Sequence, residues 1–186
     1  MRKLLVLTLA LVVGVFFVAP LSAGGGNHTL PFYGNMSGFL GEFVVDPDEI
    51  AARCEVPDGK FGVWAIASFE GAGTVTHMGK SHVIATHCSY LGLLPDGSIG
   101  MDGTYGQGML TTTAANGDVL LATYDNGSSY LNPDGSITFM DDFSFVDGGT
   151  GRFSFASGGG TEIGSVSFGD GTFVVELFGE ISYKRK

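Results

Sequence analysis

Residues 95–135 read PDGSIGMDGTYGQGMLTTTAANGDVLLATYDNGSSYLNPDG, the stretch between two copies of one tripeptide. Pro-Asp-Gly occurs at Pro57-Asp58-Gly59, Pro95-Asp96-Gly97 and Pro133-Asp134-Gly135, and both intervals are 38 residues. Proline presets φ at the first turn position, aspartate bonds nearby backbone and glycine accepts positive φ, so each copy predicts a turn that ends a strand. Midway through the quoted stretch, Asn116-Gly117 is a strong hairpin signal. Aligning residues 60–97 with 98–135 puts His77-Met78-Gly79-Lys80 over Ala115-Asn116-Gly117-Asp118. Each unit therefore reads strand, tight turn, strand, turn. A third unit starts at Ser136 and carries a longer midpoint, Asp147-Gly148-Gly149-Thr150-Gly151.

Side-chain alternation extends this reading outward. Phe173, Val175, Leu177, Ile181 and Tyr183 fall on one face of the last strand, with Thr172, Glu176, Glu180 and Ser182 on the other. A two-residue turn at Asp170-Gly171 would pair Phe168 with Phe173 and Val166 with Val175. In the first unit Phe61, Val63, Ala65, Ala67 and Phe69 share a face, while Trp64 and Ile66 opposite them predict that the outer side is also covered. A helical turn is expected from Asp46 to Arg53, and no other helical periodicity follows the leader. An N-terminal pair around Leu30–Tyr33 and Phe39–Val45, plus three units of two strands, gives about eight strands. The expected fold is all-β, an eight-stranded antiparallel up-and-down β-barrel, because closure removes both exposed sheet edges. A two-sheet sandwich is the alternative architecture.

Residues 1–23 read as a signal peptide. Arg2 and Lys3 supply positive charge, Leu4 to Val18 form an apolar run, and Pro20-Leu21-Ser22-Ala23 ends on a small residue. The alternative is a membrane anchor, which Pro20 and the following Gly24-Gly25-Gly26 disfavour. Residues 24–186 are expected to form a single β-barrel domain, secreted or periplasmic, without stable membrane insertion once the leader is removed. Losing Arg2 and Lys3 takes the net charge from −10 to −12, a field that repels nucleic acid and anionic membrane surfaces. Cys54 and Cys88 are the only cysteines, and export places them where a disulfide persists. Closing that loop stabilises by roughly 3–4 kcal/mol in the chain-entropy model.

Several segments carry a family resemblance: Thr76-His77-Met78-Gly79-Lys80, His87-Cys88, Thr111-Thr112-Thr113-Ala114-Ala115-Asn116-Gly117-Asp118-Val119-Leu120 and Gly148-Gly149-Thr150-Gly151-Arg152-Phe153. Together they resemble a family of secreted bacterial proteins similar to the allene oxide cyclase barrel, a fold also used by plant dirigent proteins. The likeness covers about residues 30 to 183 and rests on turns and strand ends rather than catalytic groups. It implies the barrel, agrees with a Cys54–Cys88 bond and, since such barrels commonly assemble, implies a homo-oligomer.

Candidate chemistry is sparse. His77, His82 and His87 are evenly spaced, but five residues along a strand reverse the face, so His82 and His87 cannot address one metal ion. No metal and no cofactor are expected. Asp141 shares a face with Phe139, Phe143 and Phe145 and is the candidate for a carboxyl of raised pKa, unless that face is the outer one or a rim. Arg152 is a candidate anion contact or a solvated strand end. The 13 phenylalanines beyond the leader, with Trp64, could fill a barrel or line a cavity in it. The candidate lining residues are Phe61, Phe69, Phe143, Phe145, Phe168, Phe173 and Tyr183. The leading expectation is a non-catalytic binder of a small hydrophobic or amphipathic molecule. The alternatives are an isomerase or cyclase of the allene oxide cyclase or dirigent type, with Asp141 as its catalytic group, and a filled structural barrel that assembles through Trp64, Ile66 and Phe178.

Overall fold

The computed structural model describes residues 29–55, 62–93 and 99–183. The expected leader, Phe61 and the turns expected at the first two Pro-Asp-Gly copies lie outside the described residues. Eight strands follow in chain order: β1 (Thr29–Val44), β2 (Gly62–Val75), β3 (Gly79–Leu93), β4 (Ile99–Ala114), β5 (Val119–Leu131), β6 (Ser136–Val146), β7 (Ser157–Ser167) and β8 (Thr172–Ser182). Each pairs antiparallel with the next, and β1 pairs with β8, so the sheet closes as an up-and-down barrel. The sandwich alternative is thereby excluded.

The expected count of eight is correct, but its composition differs. The supposed N-terminal pair is one continuous strand, β1, bent by a bulge between Leu40 and Phe43 opposite β2. That extra residue returns Phe43 to the inner face, which is why two apolar runs looked like two strands. The eighth strand is instead β8. Its hairpin with β7 also differs, since Val166 rather than Phe168 faces Phe173, and Val175 faces Gly164. The connection spans residues 168–171 and is braced by Ser167 Oγ donating to Asp170 Oδ2 at 3.0 Å. A slip of two residues preserves inward and outward parity, so the expected inner face of β8 is retained: Phe173, Val175, Leu177, Ile181 and Tyr183 are all buried.

The third Pro-Asp-Gly is a turn as expected. Gly135 has φ of 85° and donates to Asn132 O at 2.9 Å, while Asp134 Oδ1 accepts from Ser136 N and Oγ. The expected helical turn is α1 (Pro47–Arg53), capped by Asp46, whose carboxylate accepts from the backbone of Asp48 and Glu49. Pro47 opens it, Arg53 closes it, and Ile50 is its buried residue. Ile50 packs with Trp64, Ile66 and the Cys54–Cys88 disulfide on the outside of β2 and β3. The outer side of the first unit is thus covered by α1. Trp64 and Ile66, expected as part of a subunit contact, are partly buried against the chain's own helix.

The two barrel ends are different. At one end a single 3-10 turn (Gly151–Phe153) folds inward, and Phe153 is 0% exposed against Tyr183, ring centroids 5.2 Å apart. Arg152 bonds Asp118 at 3.3 Å and lies over the Phe153 ring, so it secures this closure rather than standing free for an anion. At the opposite end Phe43 and Phe168 remain 39% and 47% exposed, their rings 6.0 Å apart.

Candidate functional site

Below Phe43 and Phe168 the interior holds a cavity of about 90 Å³. Its walls are mainly apolar, among them Phe69, Val83, Leu110, Phe139, Phe173 and Val175, with His87, Tyr105, Tyr124 and Glu162 grouped on one side. Rings run continuously from the Phe43–Phe168 end to that polar side. Phe168 meets Phe43, Phe43 meets Phe69 at 6.4 Å, Phe69 meets His87 at 5.1 Å, and His87 meets Tyr105 at 4.7 Å.

Two β-bulges build the polar side. In β4, Gln107 and Gly108 stand opposite the single His87 of β3; in β5, Asn126 and Gly127 stand opposite the single Asp141 of β6. Gln107 (φ 51°) and Asn126 (φ 56°) take the left-handed conformation that L-residues resist. The backbone distortion is stabilised locally by Asp125, whose Oδ1 accepts from the N–H groups of Gln107 and Asn126 at 3.1 and 3.0 Å. Each bulge reverses the alternation of its strand. Tyr105 and Leu110 therefore both face inward on β4, as do Tyr124 and Ser129 on β5. Glycine is required beside both phenols, since a Cβ at Gly127 would collide with the Tyr105 ring and one at Gly108 with the Tyr124 ring.

The cluster is connected by hydrogen bonds. Tyr124 OH and His87 Nδ1 share one at 2.9 Å, and Tyr105 OH donates a short bond to Asp141 Oδ2. Glu162 is the cross-strand partner of Asp141, and the two carboxyl groups interact directly. Asp141 is 4% exposed and Glu162 7%. Asp141 Oδ1 is buried without a hydrogen-bond partner.

Burial sets the protonation states. Desolvation raises the Glu162 pKa well above the usual carboxylate range, and the charge and hydrogen bond of Asp141 push it further. Asp141 is also raised by desolvation, partly offset by hydrogen bonds from Glu162 and Tyr105. The pair therefore titrates as a unit, its protons held above the ordinary carboxylate range. Desolvation lowers His87 to about 3, helped by the charge of Arg53, so its imidazole is neutral. Arg53 itself sits outside the wall, where Nη2 donates to Thr86 Oγ1 at 2.9 Å. Burial raises both phenols, keeping Tyr105 and Tyr124 protonated.

The sequence candidates are distributed as follows. Phe69, Phe168 and Phe173 line the cavity. Phe143, Phe145 and Tyr183 are buried in the main core, with Phe143 and Phe145 edge-to-face against Phe32 and Tyr183 edge-to-face against Phe153 at the closed end. Asp141 is on the inner face. The histidines separate: His77 hydrogen-bonds Pro31 O from the β2–β3 turn, His82 pairs with Glu70 on the outside, and His87 faces inward. Among the described residues no group of three or more His, Cys, Asp or Glu could hold a metal ion, and no helix is long and apolar enough to cross a membrane. Sequence reasoning missed Tyr105, Tyr124 and Glu162 and saw His87 only as a metal candidate. The available signal was the Gln-Gly and Asn-Gly pairs at 107–108 and 126–127, where glycine follows a residue tolerant of positive φ.

Comparison with protein-family models, with curated proteins and with solved structures finds no match to this chain.

Proposed function

We propose that the protein is an exported barrel that binds a small amphipathic molecule in its interior. The observation that carries this reading is the cavity of about 90 Å³, apolar on most sides and polar on one, beneath an end bordered by Phe43 and Phe168. Such a division suits a ligand whose hydrocarbon part displaces water from rings while a single polar group finds hydrogen bonds. Apolar cavities of about 150 Å³ admit benzene, so this smaller one would take the head of a ligand whose remainder extends toward Phe43 and Phe168, or a ring only if those side chains move. Export is supported by the leader-like residues 1–23 and by the disulfide. The test is titration with indole or toluene followed by NMR. Saturable binding is expected in the native protein and its loss in Ala85→Leu, which fills the cavity; absence of binding to the native protein refutes the reading.

The carboxyl pair favours a second reading, an isomerase or cyclase similar to the allene oxide cyclase barrels. A carboxylic acid kept protonated at neutral pH by burial can deliver a proton to a confined substrate. Glu162 lines the cavity and would be the donor, with Asp141 and Tyr105 behind it positioning and recharging the proton. Turnover of unsaturated epoxides, or selective coupling of phenoxyl radicals generated by an added one-electron oxidant, abolished by Glu162→Gln, is the expected result. No turnover across both substrate classes refutes it.

A further inference from the structure

The cavity combines a ring-lined wall with buried carboxyl groups and, among the described residues that line it, has no lysine or arginine. Phe43, Phe69, Tyr105, Tyr124, Phe139 and Phe173 present aromatic surfaces around a volume that Glu162 borders directly. Asp141 lies behind Glu162 with one buried oxygen unpartnered. We propose that the ligand is a small organic cation, a tertiary or quaternary ammonium carried on an apolar body, held by the rings and by the Asp141–Glu162 pair.

This inference rests on the ligand-binding reading and sharpens it to a chemical class. Aromatic faces attract cations through their quadrupoles, most strongly where water is excluded, and quaternary ammonium groups are recognised in this way. The carboxyl pair supplies the matching charge. A cation beside Glu162 favours loss of a proton from this coupled pair, whose pKa values burial raises, and neutral His87 does not offset the resulting charge. Arg53, the nearby guanidinium, is hydrogen-bonded to Thr86 on the outer side of β3. A carboxylate ligand would bring its own negative charge into the same small space, at a prohibitive desolvation cost. The chain's net charge of −10 also draws cations toward the molecule and repels anions.

The experiment uses three probes of matched ring size: benzyltrimethylammonium, benzyl alcohol and phenylacetate, each titrated into the disulfide-intact protein by NMR. The cation is expected to bind at least about tenfold more tightly than the alcohol, the scale of a desolvated cation–π contact, with phenylacetate weakest. In Asp141→Asn/Glu162→Gln the cation should fall to parity with the alcohol, whose retained binding reports an intact cavity. Equal or tighter binding of benzyl alcohol or phenylacetate to the native protein overturns the proposal while leaving the ligand-binding reading standing. Failure of all three to bind removes both.

Discussion

Tyr105 and His87 show how single residues set the chemistry of the interior. The Tyr105 hydroxyl donates to Asp141, and that bond holds the Asp141 pKa below what desolvation alone would impose. Tyr105→Phe should therefore raise the Asp141 pKa, measured by carbon NMR of the carboxyl, and destabilise the fold by about 1–3 kcal/mol. His87 and Glu162 give opposite pH dependences. Folded His87 refuses a proton down to about pH 3, whereas the unfolded imidazole accepts one near 6.5. Stability should fall as pH drops through that window. Folded Glu162 keeps its proton above the ordinary value of 4.5, so its contribution is complete below 4.5 and is lost as pH rises through the folded pKa. Thermal melts against pH should show the acid-side loss flattened in His87→Gln and the alkaline-side loss flattened in Glu162→Gln. An unchanged acid side in His87→Gln would refute the buried neutral imidazole.

At the level of elements, bulges and the outer helix decide what the strands can present. Asn126 adopts φ of 56° in mid-strand, so Asn126→Val should be less stable than Asn126→Gly by about 1–2 kcal/mol. Chemical denaturation of the two variants checks this. Cys54 lies just beyond α1 and Cys88 on β3, and their bond fixes the helix over Trp64 and Ile66. Cys54→Ser/Cys88→Ser should lose roughly 3–4 kcal/mol and expose Trp64, visible as a red shift in fluorescence. Legibility divided at this scale. Strand existence and the inner face of β8 were readable because alternation over Phe173 to Tyr183 is unbroken, and α1 was readable from Asp46-Pro47. The inner faces of β4 and β5 were not. A strict period of two breaks when one residue is inserted, and Asn126-Gly127 carries the same dipeptide as the turn at Asn116-Gly117 while lying in a continuous strand. The phenols, Glu162 and their convergence depend on that inserted residue and on cross-strand register, neither of which a single strand's pattern contains.

For the whole molecule, closure through β1 and β8 leaves no unpaired sheet edge among the described residues, and the fold was legible because repeated turns imply sequential hairpins. The difference between the two ends was not legible, since the inward 3-10 turn at Gly151–Phe153 resembles any glycine-rich connection in sequence. Phe153→Ala should cost about 3–5 kcal/mol, measured by denaturant unfolding. That same phenyl ring turns a pipe into a cup. Under the proposed reading, and among the described residues, a guest would enter and leave past Phe43 and Phe168, so exchange of occupants would be a matter of eviction rather than through-traffic.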